Sequence, residues 1–305
     1  GFRDDKDPRD VVLESASGAA GGWKNASGDA PGPPASSPPP PANPGSNRDV
    51  RIDGAVGRQI RGLQKTRKGG TISLGGDRLG ITNPGKVFFP KVKVTKGDLL
   101  AYYADMADVI LPWMEDRPLV LKRYPNGIEE EAFYQQAAPD EVPGGVRVED
   151  VSLSGEKDPK PRLVGGNLAT LLYTVQLGAI SYDPWHSRIT RLESADYTIL
   201  DLDPGPGADF QRVVQVARWV KEEMDALGLH GALKTSGSRG LHIYLPLPPE
   251  TPLEAATLVA QIIATRVANR HAKEATVERT VKRRPRGTVY VDYLQNILGK
   301  TIAGA

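Results

Sequence analysis

The sequence predicts an α+β fold with a mainly antiparallel central sheet flanked by helices. Helical periodicity runs over 96–111, 209–227 and 252–270, and short β-type runs lie at 196–203, 241–247 and 288–294. Strands and helices interleave without the regular spacing of a βαβ array, which favours α+β over a parallel doubly wound sheet.

Taken in order, residues 17–50 are dominated by Gly, Ala, Ser, Pro and Asn and include a tetraproline. Such a stretch holds too little apolar surface to offset the entropy of ordering it, and reads as a disordered linker with polyproline II character. Residues 51–70 are basic, with a short helix expected around Ile60 and Leu63, and ordered structure is expected from about Thr71. In 96–111, Leu99, Leu100, Tyr103, Met106, Ala107 and Ile110 share one helical stripe, with Thr95 and Asp98 as a capping pair. In 209–227, Phe210, Val213, Val214, Ala217, Val220, Met224 and Leu227 repeat the pattern and Gly228 stops it. A third helix starts near Pro252, well placed at a first turn, and runs to about Arg270. In the β-type runs Leu241, Ile243 and Leu245 alternate with His242 and Tyr244, and Val289 and Val291 with Tyr290 and Asp292.

Composition sets the bounds. The chain has 305 residues, 39% hydrophobic and 25% charged, enough for one large domain or two small ones. The formal net charge of +2 leaves any nucleic-acid signal to local clusters of Lys and Arg. The absence of cysteine excludes disulfides, thiolate metal sites and a Cys nucleophile, and fits a reducing cytoplasm. No apolar run is long enough for a transmembrane helix, so no membrane association is expected. The chain begins at Gly1 and stops after Gly304 and Ala305, as expected for a piece of a longer protein.

The sharpest chemical feature is Ile199-Leu200-Asp201-Leu202-Asp203-Pro204-Gly205. On a strand, residues i and i+2 share a face, so Asp201 and Asp203 stand side by side, about 7 Å apart. Like charges at that spacing repel unless a cation lies between them, and hard divalent ions take oxygen ligands. Pro204 and Gly205 end the strand, which places the pair at the sheet's rim. The alternative is a solvated strand end with an Asx-type turn. Asp292, a charge in an otherwise apolar and aromatic run, shifts the balance, because it needs a partner or a metal. Carboxylates on adjacent strands are the usual construction of two-metal phosphoryl-transfer sites.

A second feature is Lys234-Thr235-Ser236-Gly237-Ser238-Arg239-Gly240-Leu241-His242. Its Ser/Gly turn offers backbone N–H groups and hydroxyls to an anion, and Arg239 adds a fixed charge suited to phosphate. His242 points away from the side of Leu241 and Ile243; a structural histidine and a nucleotide contact are both open for it. Lys282, Arg283, Arg284 and Arg286 precede the Asp292 strand, as a solvated loop or as a holder of a triphosphate or nucleic-acid backbone.

Together these segments resemble the polymerase domain of bacterial ligase D, in the archaeo-eukaryotic primase superfamily. The resemblance covers about 55–305 and rests on separate motifs in order: Thr82-Asn83-Pro84-Gly85-Lys86 with Thr95-Lys96-Gly97-Asp98, Lys122-Arg123-Tyr124-Pro125-Asn126-Gly127, the Asp201 and Ser236 segments, and Val291-Asp292-Tyr293-Leu294-Gln295-Asn296. It implies a primase-polymerase type fold. It implies Asp201, Asp203 and Asp292 as catalytic metal ligands for two divalent ions, Mn2+ or Mg2+. It places Ser236, Arg239, His242, Gln295 and Lys300 around an NTP or dNTP, and Lys86 and Lys96 on the 5′-phosphate of a DNA end. It implies metal-dependent addition of ribonucleotides or deoxynucleotides to a DNA 3′-hydroxyl during non-homologous end joining, with ribonucleotide preference and manganese stimulation. DNA ends, Ku and a fused or separate ATP-dependent DNA ligase domain are the implied partners, in a bacterial cytoplasm at the nucleoid.

The sequence departs from the family at several points. Asp183 stands where the family usually has His, reversing the charge that position can carry near the nucleotide. Arg239 stands where many relatives have Lys. The chain stops after Lys300-Thr301-Ile302-Ala303-Gly304-Ala305, before the family's Tyr-Ser-x-Arg segment. Residues 1–16 resemble the end of a ligase OB-fold in Gly1-Phe2-Arg3-Asp4-Asp5-Lys6-Asp7-Pro8-Arg9, so the expected order is ligase tail (1–16), linker (17–50) and polymerase domain (51–305), truncated at its C-terminus. Two rival readings remain: a non-catalytic module that binds 5′-phosphorylated DNA ends, and a nucleotide-sugar glycosyltransferase using Asp-x-Asp with manganese.

Overall fold

Alternation of large apolar groups with polar ones builds two groups of elements, each around its own apolar core. The computed structural model describes residues 54–66, 68–152 and 158–304; the expected ligase tail and linker lie outside the described residues. The first group comprises α1 (Ala55–Thr66), β1 (Gly70–Leu74), β2 (Asp77–Ile81), β3 (Val87–Phe89), β4 (Val94–Thr95), α2 (Lys96–Asp105), α3 (Ala107–Met114), β5 (Leu119–Arg123), β6 (Phe133–Gln135), β7 (Val148–Val151), β8 (Lys160–Leu163), α4 (Leu168–Gln176) and β9 (Ala179–Pro184). The second comprises β10 (Ser194–Pro204), α5 (Phe210–Ala226), β11 (Ala232–Thr235), β12 (Leu241–Pro252), α6 (Leu253–Arg270), β13 (Ala275–Thr276) and β14 (Val289–Asp292).

Regular structure starts earlier than Thr71. Helix α1 buries Ile60 completely, packs on α2, and is tied to it by Arg61 Nη1 donating to Asp105 Oδ2 at 2.9 Å. The single helix expected over 96–111 is two: Met106 caps α2 by donating its N–H to Tyr102 O, and α3 restarts at Ala107 and continues to Met114. The Thr95/Asp98 capping box forms as expected. Helix α5 keeps its boundaries, with Asp209 as N-cap and Gly228 at φ +67° just past its end. The β-type run 288–294 is shorter than expected: the strand stops at Asp292 and a 3₁₀ turn covers Leu294–Asn296.

The main sheet has strand order β11-β12-β10-β14-β13, antiparallel except for the β13–β14 pair. Cross-strand partners share a face. Leu200 pairs with Ile243, and Leu202 with Leu241 and Val291; these bury against Val213, Val216 and Val220 of α5 and Ala260, Ile263 and Val267 of α6. Each such side chain contributes roughly 1.5–3 kcal/mol on full burial, which lets β10 tolerate two carboxylates on its other face. Arg117 ties that face to the first group. The residue is 1% exposed, and its guanidinium donates to Trp113 O, Trp185 O, His186 O and Asp196 Oδ1 and lies over the Tyr197 ring.

Candidate active site

Antiparallel register brings Lys234, His242, Asp201 and Asp292 into one row across β11, β12, β10 and β14. Lys234 pairs with His242, His242 with Asp201, and Asp201 with Asp292. Asp203, two residues on from Asp201, pairs with Tyr290 on the same face. The acidic pair does not sit wholly at the rim: β10 is the middle strand, the Asp201 side chain is only 13% exposed, and only Asp203 reaches the exposed end.

Crowding of like charge in a sheltered place governs the electrostatics. Burial, with Asp203 and Asp292 adding repulsion, raises the Asp201 pKa to about 8 against the pull of Lys234. Asp203 also moves upward, from burial and Asp292, while Arg284 and Arg239 oppose the shift. His242 approaches Asp201 at 3.5 Å, beyond hydrogen-bond range, and burial together with Lys234 drops its pKa to about 3. Asp201 Oδ1 and His242 Nδ1 are buried without a hydrogen-bond partner.

An orphaned oxygen among mutually repelling carboxylates suits a divalent cation. Asp292, however, is engaged locally: Oδ1 accepts from Leu294 N–H at 2.8 Å and Oδ2 from Gln295 Nε2 at 3.0 Å. Among the described residues no three His, Asp or Glu side chains converge closely enough to hold a metal ion. Gln295, expected at the nucleotide, lies next to Asp292 through this bond.

The Ser236 turn closes on itself. Ser236 Oγ accepts the N–H groups of Ser238 and Gly240 at 3.2 and 3.0 Å, and Gly237 takes φ +81°. Gly240 passes so close to β10 that an added Cβ would lie 2.3 Å from Leu202 O, so only glycine fits. Arg239 stands exposed beside Asp203. Arg284 approaches the same carboxylate from the other side, its guanidinium 3.7 Å above the Tyr290 ring and its Nε and Nη2 held by Glu278 O and Arg279 O. Lys300 is exposed on the turn after Gly299, and its backbone N–H bonds Ile297 O.

In the first group, Lys86 and Lys96 come together. Lys86 Nζ donates to Pro125 O and Asn126 Oδ1, and the buried Lys96 donates to Thr82 O. Burial, then Lys86 and Arg123, lowers the Lys96 pKa to about 8. Beside this cluster Phe133 and Tyr134 stand 45% and 63% exposed, with Arg123 5.0 Å from the Phe133 ring centre and Lys122 5.7 Å from that of Tyr134. The sequence reading did not single out this aromatic–basic surface. Its signal was adjacent aromatics, without helical periodicity, one strand away from Lys122 and Arg123. Lys234 was also unassigned, although the register puts it in the acidic row.

Comparison with known proteins finds relatives of this chain. The family model described as LigD, primase-polymerase domain, matches residues 95–305. The multifunctional non-homologous end joining protein LigD of Pseudomonas aeruginosa is 30% identical over 248 residues, covering 81% of this chain and 29% of that protein. The bifunctional LigD of Bacillus subtilis is 32% identical over 226 residues, covering 74% of this chain and 36% of its own length. The chain thus spans about a third of the curated relatives it matches. The polymerase domain from Mycobacterium tuberculosis ligase D, solved in complex with DNA, superposes with a TM-score of 0.70 at 29% identity, covering 75% of this chain and 81% of that one. Motif order, cross-strand register and these matches lead to one conclusion: the chain belongs to the LigD primase-polymerase domain family.

Proposed function

We propose that this chain is a DNA-end repair polymerase that adds nucleotides to a DNA 3′-hydroxyl in non-homologous end joining. The carrying observation is the cross-strand pairing of Asp201 with Asp292 beside Asp203, with a buried Asp201 oxygen left unpartnered. In the proposed reaction the 3′-oxygen bonds the α-phosphorus of a nucleoside triphosphate, pyrophosphate leaves, and the hydroxyl proton passes to solvent. Two divalent ions, Mn2+ or Mg2+, held by Asp201, Asp203 and Asp292, would supply the positive charge this displacement needs. The chain's own groups bind and orient. Arg239 and Arg284 flank Asp203 and receive the triphosphate. His242, kept neutral by burial, bears on Asp201 without adding charge. Lys86 and Lys96 hold the 5′-phosphate of the end, while Phe133 and Tyr134 offer stacking faces to unpaired bases. The proposed partners are 5′-phosphorylated, gapped or overhanging DNA, Ku, and an ATP-dependent DNA ligase domain, in a bacterial cytoplasm; no described helix is long and apolar enough to cross a membrane.

The test is nucleotide addition to a gapped, 5′-phosphorylated duplex in magnesium and in manganese, beside Asp201→Ala. Extension that needs the metal and is lost in the variant supports the proposal. The engagement of both Asp292 oxygens by Leu294 and Gln295 favours a second reading, a non-catalytic end-binding module. Tight binding of the phosphorylated end without extension in either metal would establish that reading instead. Family membership leaves the glycosyltransferase reading without support.

A further inference from the structure

Strand β14 leaves β10 early, and a side chain takes over its pairing. The register between the two strands runs from Pro204 opposite Val289 to Asp201 opposite Asp292. Continued for two residues, it would set Leu294 opposite Ile199. The chain instead leaves the ladder after Asp292, and Asn296 returns to β10 through its amide. Asn296 Oδ1 accepts the Ile199 N–H at 2.8 Å, and Nδ2 donates to Ile199 O at 2.8 Å and to Tyr293 O at 2.8 Å. An N–H only donates and a carbonyl only accepts, so this network fits one orientation of the amide. The residue is 1% exposed, and its own carbonyl accepts from Thr257 Oγ1 of α6 at 3.3 Å.

Asn296 thus gives Ile199 the two bonds that a residue of a paired antiparallel strand would give it. Tyr293, Leu294 and Gln295 are freed from the ladder, and two of them fold back on Asp292. Leu294 N–H and Gln295 Nε2 bond its two carboxylate oxygens. The turn is pinned to β10 at both ends, at Asp201 through Asp292 and at Ile199 through Asn296. An ionised carboxylate offers about four lone-pair sites, so two such bonds set its direction and leave sites for a cation. We propose that Asn296 is a positioning residue: its amide stands in for β14 on Ile199, and so holds the turn that orients the Asp292 carboxylate for a divalent cation shared with Asp201. The inference rests on the polymerase reading and deepens it.

The experiment compares wild type, Asn296→Ala and Asn296→Asp. The Asp variant keeps an acceptor for the Ile199 N–H but turns an oxygen toward two carbonyls. Thr198→Val is the control, because it removes a buried bond on the same strand, Thr198 Oγ1 to Ala256 O, without touching the turn. Three quantities are read: melting in chelator, Mn2+ affinity without DNA or nucleotide, and kcat and KM for nucleotide on the gapped duplex. Both Asn296 variants are expected to bind Mn2+ about tenfold more weakly or worse, and to lose kcat more than KM. Thr198→Val is expected to melt lower yet keep wild-type Mn2+ affinity and kcat. Unchanged Mn2+ affinity in folded Asn296 variants overturns the assignment, as does an equal loss in Thr198→Val. If neither Asn296 variant folds, amide exchange in the wild type decides. Coupling is reciprocal, so Mn2+ must slow exchange at Ile199 more than in α2, and equal slowing overturns the assignment. Mn2+ binding that depends on Asn296, without DNA extension by the wild type, would sink the polymerase reading and leave the positioning role standing, so the two failures are distinguishable.

Discussion

Replacing Asp201 with Asn should stabilise the fold while abolishing nucleotide addition. Asn cannot ionise, and its amide donor would face His242 Nε2, now 3.5 Å from Asp201 Oδ1. In the folded chain the Asp201 carboxyl has a pKa of about 8, raised by burial and by Asp203 and Asp292. In the unfolded chain the value is about 4. Because the folded value is the higher one, ionisation disfavours the fold. The penalty is absent below about pH 4, grows up to about pH 8 and is constant above it. At pH 7 it reaches at most about 4 kcal/mol, and relaxation and water entry reduce it to about 2 kcal/mol. For a domain of this size that corresponds to a melting temperature about 4–8 °C higher in the variant. Thermal melts from pH 5 to 8 in chelator would show the gap widening with pH, and Mn2+ should stabilise the wild type far more than the variant. Equal or lower stability of Asp201→Asn at pH 7.5, or a gap that does not widen with pH, would refute the account of Asp201 as a strained acid awaiting a cation.

Other perturbations probe the remaining parts. Lys96, with a pKa lowered to about 8 by burial and then by Lys86 and Arg123, carries its charge below that value, so preference for 5′-phosphorylated over 5′-hydroxyl DNA should fall between pH 7 and 9 and be weak at all pH in Lys96→Met; fluorescence anisotropy at fixed ionic strength reads both. Asp196→Ala removes the carboxylate shared by Arg117 and Arg188, and leaving the buried Arg117 short of its partner should cost about 3 kcal/mol in denaturant melts. Gly240→Ala, whose Cβ would lie 2.3 Å from Leu202 O, should raise the KM for nucleotide several-fold by displacing the Ser236 turn, while secondary structure by circular dichroism stays close to wild type.

What was legible in the sequence follows from periodicity. The two-residue repeat put Asp201 and Asp203 on one face, and the 3.6-residue repeat located α5 and α6, because one side of each element is buried and the other is not. Register carries no such local signal. That Asp201 faces both His242 and Asp292, and that Lys234 completes the row, depends on how separate strands align, which single-strand patterns do not encode. The break at Met106 was hidden because the apolar stripe continues through it from α2 to α3. Arg117 and its partners were hidden for another reason: Trp113, Trp185 and His186 meet it through backbone carbonyls, which every residue possesses. Lys300 entered by resemblance alone, since an exposed lysine after Gly299 carries no pattern of its own.

The row from Lys234 to Asp292 also sets where the chain can change length. Its members are spaced by the separation of neighbouring strands, about 5 Å, whatever length of chain connects them. Loops after Pro204 or between Thr276 and Val289 can therefore gain or lose residues without moving one charge relative to the next. A single residue inserted in β10 between Leu200 and Asp201 would instead turn both carboxylates into the layer under α5 and α6, and expose Leu202 where Asp203 had been. The sheet works as a ruler: variation in length belongs to the loops, and the strands that carry the row admit none.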